Sequence, residues 1–162
     1  MSFISTDPCS HESENTWYTP RVFTDLYEFD LDPCTNSTRP FDTAKKHIEH
    51  DRGGCGLIAN WSGDVWLNPP YGKSIMPFVD KFSAHKKGVM LVFARMGASY
   101  IQESLRGGAY IYCLRKRIAF IDKNGKKATN AGADSCLVFY DLRFYEIYKK
   151  HFDGVLITGL VP

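Results

Sequence analysis

The chain has 162 residues, of which 44% are apolar and 23% charged, the composition of one folded domain rather than of a disordered chain. No apolar run approaches the roughly 20 residues that span a bilayer, and the first fifteen residues lack the basic start and apolar core of a secretory signal. The five cysteines, at 9, 34, 55, 113 and 136, form no C-x-x-C pair and no zinc pattern, which argues against a disulfide scaffold and a structural metal and for a reducing compartment. The net charge of +2 hides a split: residues 1–64 carry a net −6 and residues 65–162 a net +8.

Residues 1–15 are polar and aperiodic and predict a flexible arm ahead of one domain over 16–162. Apolar positions 22, 23 and 26 behind Pro20 predict a short helix over 21–27. Alternation over 29–32 predicts a strand that ends at Pro33. Residues 35–64, rich in Asn, Ser, Thr, Gly and charge, carry no periodicity. A strand over 65–67 leads into Asn68-Pro69-Pro70-Tyr71, and a helix over 74–86 follows, with Ser74 as its expected cap. GVMLVFA, 88–94, is a continuous apolar run of the kind buried on both faces of a sheet. Further on, the pattern predicts a helix over 98–105, strands over 109–114, 118–121 and 136–140, an amphipathic helix over 142–152 and a last strand over 155–158. Strands alternating with helices predict an α/β fold with a largely parallel sheet.

The chemistry concentrates at Asn68-Pro69-Pro70-Tyr71, between a strand and a helix. In an open α/β sheet, ligands bind beyond the carboxyl ends of the strands. Two prolines stiffen the backbone and leave carbonyls without helical partners. An asparagine side-chain oxygen and a proline carbonyl can then both accept from one exocyclic amino group, and the tyrosine ring can stack on a planar base.

DVWLNPPYG resembles motif IV of the amino-methyltransferases that use S-adenosylmethionine. The order of elements is more closely similar to the small phage DNA N6-adenine methyltransferases of the Dam type. The similarity runs through Trp17-x-Thr19-Pro20, Phe29-x-Leu31-Asp32, Trp61-Ser62-Gly63, Asn68-Pro69-Pro70-Tyr71, Leu91-Val92-Phe93-Ala94-Arg95, Arg117-Ile118-Ala119-Phe120 and Ser135-Cys136-Leu137-Val138-Phe139, over about residues 17–140. The resemblance implies a Rossmann-like methyltransferase sheet with a C-terminal antiparallel strand and helices on both faces. It implies methyl transfer from S-adenosylmethionine to the N6 amino group of an adenine flipped out of duplex DNA.

On that resemblance, Asn68, Pro69, Pro70 and Tyr71 form the catalytic motif. Trp17, Thr19, Pro20, Asp32 and Pro33 line the donor site. Of Glu49 and Asp51, Asp51 is assigned to the donor ribose. The loop after Asp32 lacks the glycines of the common D-P-x-x-G-x-G pattern, and Met96-Gly97 stands after Arg95 where a Thr-Asp pair is common. Arg95, Arg115, Arg117, Lys123, Lys126 and Lys127 are the expected DNA contacts, because phosphate neutralisation needs clustered Lys and Arg, and the Asn124-Gly125 loop is expected to enter a groove. The resemblance also implies no separate target-recognition domain, no metal and no membrane, a monomer or weak homodimer, and a cytoplasmic location, that of the host if the gene is phage-encoded. Restriction-modification, as protection of phage DNA, is the role it suggests. Two alternatives keep the motif: another amino acceptor, such as an RNA base or a protein glutamine, and a degenerate homologue that binds nucleic acid without catalysis.

Overall fold

The structure, a computed structural model, describes residues 17–128 and 132–159. In chain order its elements are α1 (Arg21–Thr24), β1 (Leu31–Thr35), β2 (Lys46–Glu49), β3 (Val65–Leu67), α2 (Ile75–His85), β4 (Gly88–Phe93), α3 (Ser99–Arg106), β5 (Tyr110–Leu114), β6 (Ser135–Phe139), α4 (Arg143–Tyr148) and β7 (Gly154–Thr158). Among the described residues seven strands form one sheet in the order β2-β1-β3-β4-β6-β5-β7. The first four run parallel. β6 lies antiparallel between β4 and β5, and β7 lies antiparallel to β5. The expected antiparallel C-terminal strand is therefore present twice. β1 to β5 all point the same way, so their carboxyl ends share one edge.

Burial explains the layers. β3, β4 and β6 are buried almost throughout. α2 and α3 cover one face of the sheet with Phe78, Val79, Phe82 and Ile101. α1 and α4 cover the other with Phe23, Phe144 and Tyr148. Gly88 lets β4 begin against β3: it sits at φ 114°, and a Cβ there would come 2.0 Å from the Val65 carbonyl oxygen.

Several predicted boundaries shift for identifiable reasons. β1 begins at Leu31 and runs through Pro33, where its register with β2 slips, because proline offers no N–H to the ladder. β2 was invisible in the pattern: Lys-His-Ile-Glu has one apolar residue and forms a sheet edge. Ser74 does not cap α2 with its side chain; it ends a 3₁₀ turn over Gly72–Ser74 that feeds the helix. Residues 118–121 join no strand of the sheet, and Ile121 makes only isolated bridges to Tyr18 and Lys127. α4 stops at Tyr148, four residues before the end predicted from amphipathicity. Cys34, Cys113 and Cys136 are free thiols. The arm over 1–15 lies outside the described residues.

Candidate active site

The sheet reverses its order between β1 and β3. From β1 the chain moves outward to β2, and from β3 it moves the other way to β4. Such a switch point opens a crevice beyond the carboxyl ends of the two central strands. Asp32 and Pro33 lie in β1 on one side of it, and Asn68 follows β3 directly on the other. Neighbouring strands are about 4.8 Å apart, so the two groups face one crevice.

On the β3 side, Pro69 is buried while Asn68 and Pro70 are half-buried. Among the described residues nothing hydrogen-bonds the Asn68 side-chain amide, which leaves its oxygen available as an acceptor. Tyr71 is 39% exposed. Its ring stacks on Phe93 with centroids 4.4 Å apart and planes 19° apart. Its hydroxyl accepts the Phe93 N–H at 2.9 Å. Burial pushes the Tyr71 phenol well above the usual tyrosine range, so the ring stays neutral.

Asp32 is only 3% exposed. One carboxylate oxygen accepts the Cys34 N–H at 3.1 Å, and the other accepts the Thr43 hydroxyl at 2.5 Å. Burial outweighs these bonds and lifts its pKa to about 6. Asp32 thus ties β1 to the segment that leads into β2. A later glycine, Gly56, packs directly against the end of β1. A Cβ at Gly56 would lie 2.0 Å from the Pro33 carbonyl oxygen. Sequence reasoning missed Gly56 and the residues that hold it, although Gly53-Gly54-x-Gly56 was the available signal. Lys81 of α2 donates to the Gly56, Leu57 and Ala59 carbonyls at 2.5–3.0 Å, and Trp61 donates its indole N–H to Gly56 at 2.8 Å.

Asp51 follows β2 and receives both the backbone N–H and the hydroxyl of Ser37, in the loop after β1. Glu49, at the end of β2, is paired with Arg39 and Arg52. The carboxylate left more exposed on this side is Asp51. Trp17 is 45% exposed, Thr19 is buried, and Pro20 stands immediately before α1. Tyr18 connects this segment to the loop after β1 through its hydroxyl, 2.6 Å from that of Thr38.

The expected cations follow β4 and β5 in the chain, and Ile121 bridges the lysine-bearing turn to Tyr18. Arg95 follows β4, and Arg115 and Arg117 follow β5. All three are exposed. Arg115 pairs with Asp153 and Arg117 with Asp134. Lys123, Lys126 and Lys127 are exposed on a turn closed by Asp122, with Gly125 at φ 77°. None of these three lysines makes an ion pair among the described residues. Ser135, cross-strand from Phe93, holds a buried hydroxyl with no partner among the described residues. Among the described residues no cluster of His, Cys, Asp or Glu could hold a metal ion, and no helix is long and apolar enough to cross a membrane.

A family model described as DNA N-6-adenine-methyltransferase (Dam) matches residues 8–153. No curated protein and no solved structure matches the chain.

Proposed function

The chain belongs to the DNA N-6-adenine-methyltransferase (Dam) family, and from that premise we propose that its switch-point crevice transfers a methyl group from S-adenosylmethionine to the N6 of an adenine flipped out of duplex DNA. The observation that carries the proposal is the unengaged Asn68 amide beside the exposed Tyr71 ring, one strand away from the acidic end of the sheet edge. The residues fit a donor with a cationic centre and a ribose: Asp32 and Asp51 lie on the β1–β2 side. The bound donor would supply an electrophilic sulfonium methyl.

Everything else falls to this chain's side chains. The adenine amino nitrogen is a weak nucleophile because its lone pair is delocalised into the ring. The Asn68 side-chain oxygen and the Pro69 carbonyl would accept its two hydrogens and draw the nitrogen toward a pyramidal shape, with the lone pair aimed at the donor side. Orientation of two desolvated partners supplies much of such a rate. No strongly shifted base is required, because the nitrogen becomes acidic once it carries a fourth bond. Tyr71 would stack on the extruded base, and stacking worth about 1–3 kcal/mol offsets much of the cost of unstacking. Arg95, Arg115, Arg117, Lys123, Lys126 and Lys127 would hold the duplex through its phosphates.

Asn68→Ala tests the proposal. It is predicted to lower turnover by about a hundredfold or more while the dissociation constant for S-adenosylmethionine, measured calorimetrically, stays within about twofold of wild type. Unchanged turnover would refute the assignment of the motif.

A further inference from the structure

Three bonds to the last residue of β4 make it a rigid platform. The Phe93 carbonyl accepts the Tyr100 hydroxyl at 3.0 Å and the Arg95 N–H at 2.8 Å. Its N–H belongs to a vacated lane of the sheet. Ala94 N–H bonds to Asp134 on the β6 side, so by strand alternation the Phe93 N–H points toward β3. But β3 pairs with β4 only as far as Met90 and has left the sheet by Phe93. The Tyr71 hydroxyl takes up that donor. The Phe93 ring meets Phe120 edge-on at 6.3 Å and carries the Arg95 guanidinium at 5.5 Å. Tyr71 lies on it nearly parallel. Among the described residues no other ring contacts Tyr71, which remains 39% exposed.

We propose that Phe93 is a positioning residue for the base-stacking ring: it backs one face of Tyr71 and fixes the Tyr71 hydroxyl through its backbone, presenting the opposite face to the extruded adenine without rearrangement. The inference rests on the function proposed above. It assigns Phe93 no contact with the adenine; its effect passes through Tyr71.

The test compares Phe93→Leu, which keeps the backbone donor and an apolar side chain but removes the ring, with Phe93→Tyr, which restores the ring. Methyl transfer is followed on unmethylated genomic DNA. Base extrusion is followed by 2-aminopurine fluorescence in an oligonucleotide carrying a site that the wild-type protein methylates. Phe93→Leu is expected to lower kcat/KM for DNA by about three- to tenfold, the range one aromatic pair spans. It should also reduce the 2-aminopurine signal and leave S-adenosylmethionine affinity unchanged, and Phe93→Tyr should return both DNA readouts toward wild type. A Phe93→Leu protein with a lower Tm but wild-type kcat/KM and fluorescence, beside an inactive Asn68→Ala, would overturn this role alone. A wild-type protein that methylates no DNA would overturn both this role and the function beneath it. If Phe93→Leu fails to fold, Tyr71→Phe, which removes only the anchored hydroxyl, is expected to lower the fluorescence signal, and an unchanged signal overturns the role.

Discussion

Asp32 concentrates the residue-scale physics of the site. A carboxylate in water titrates near 3.9, whereas burial at the sheet edge raises this one to about 6 against the pull of two hydrogen bonds. Between about pH 4 and 6 the folded protein therefore binds a proton that the unfolded chain has released. Asp32 contributes stability below about pH 4 and loses it as pH rises through about 6. The loss is of the order of 3 kcal/mol. Denaturant unfolding at pH 4 and pH 7 is predicted to show this decline in wild type, and Asp32→Asn should abolish that part of it. Donor binding should run the other way. A cationic donor beside Asp32 favours its charged form, so affinity for S-adenosylmethionine should weaken as pH falls through 6. The acidic residue at the end of a short strand was legible in the sequence. Its burial was not, because Thr43, its partner, stands eleven residues away in a stretch with no periodicity.

At the scale of elements, the strongly patterned pieces were legible and the polar connections were not. GVMLVF announces β4 because a strand buried on both faces needs no alternation. The loop over 55–61 has no such pattern, yet it packs against the end of β1, Gly56 on the Pro33 carbonyl. α2 holds it: Lys81 reaches across to three carbonyls and rests over the Trp61 ring at 5.1 Å. With the Trp61 indole and two backbone bonds to the Cys55 carbonyl, that side chain stands in for the ladder a regular element would have made. Lys81→Met is predicted to cost about 1–3 kcal/mol, the range for bonds to a charged group or for buried acceptors left open. Limited proteolysis should then cut the 55–61 loop first, and donor affinity should fall as Gly56 loosens from Pro33. Wild-type protection of that loop would show that Lys81 does not hold it. The missing glycines after Asp32 misdirect a motif search in the same way. Gly56, in a later loop, packs against the Pro33 carbonyl, and the linear order of glycines does not reveal which backbone they let in.

For the whole molecule, sheet order converts a charge split along the sequence into a charge split in space. The acidic N-terminal half builds β1 and β2, at one end of the sheet edge, and the basic half builds β4 to β7, toward the other. The motif stands between them. This arrangement was half legible: the asymmetry and the α/β alternation could be read directly, but a long-range strand order cannot, because β6 inserts between β4 and β5 through pairings distant in sequence. The Asn124-Gly125 loop was legible, but the strand predicted before it does not form: the turn over 122–126 is held by local bonds from Asn124 and Lys126 to Asp122 rather than by a hairpin of the sheet. Charge reversal at Lys126 and Lys127 together is predicted to weaken duplex binding and to reduce the slope of log K against log salt by about 2, one lost counterion per phosphate contact. An unchanged slope would remove this turn from the DNA surface. The central claim is that the amino group accepting the methyl belongs to adenine in DNA. It is tested most directly by incubating the protein with tritiated S-adenosylmethionine and unmethylated genomic DNA, then digesting the DNA to nucleosides. Label in N6-methyldeoxyadenosine is the predicted result; label in a methylated cytosine, or DNA left unlabelled, would contradict it.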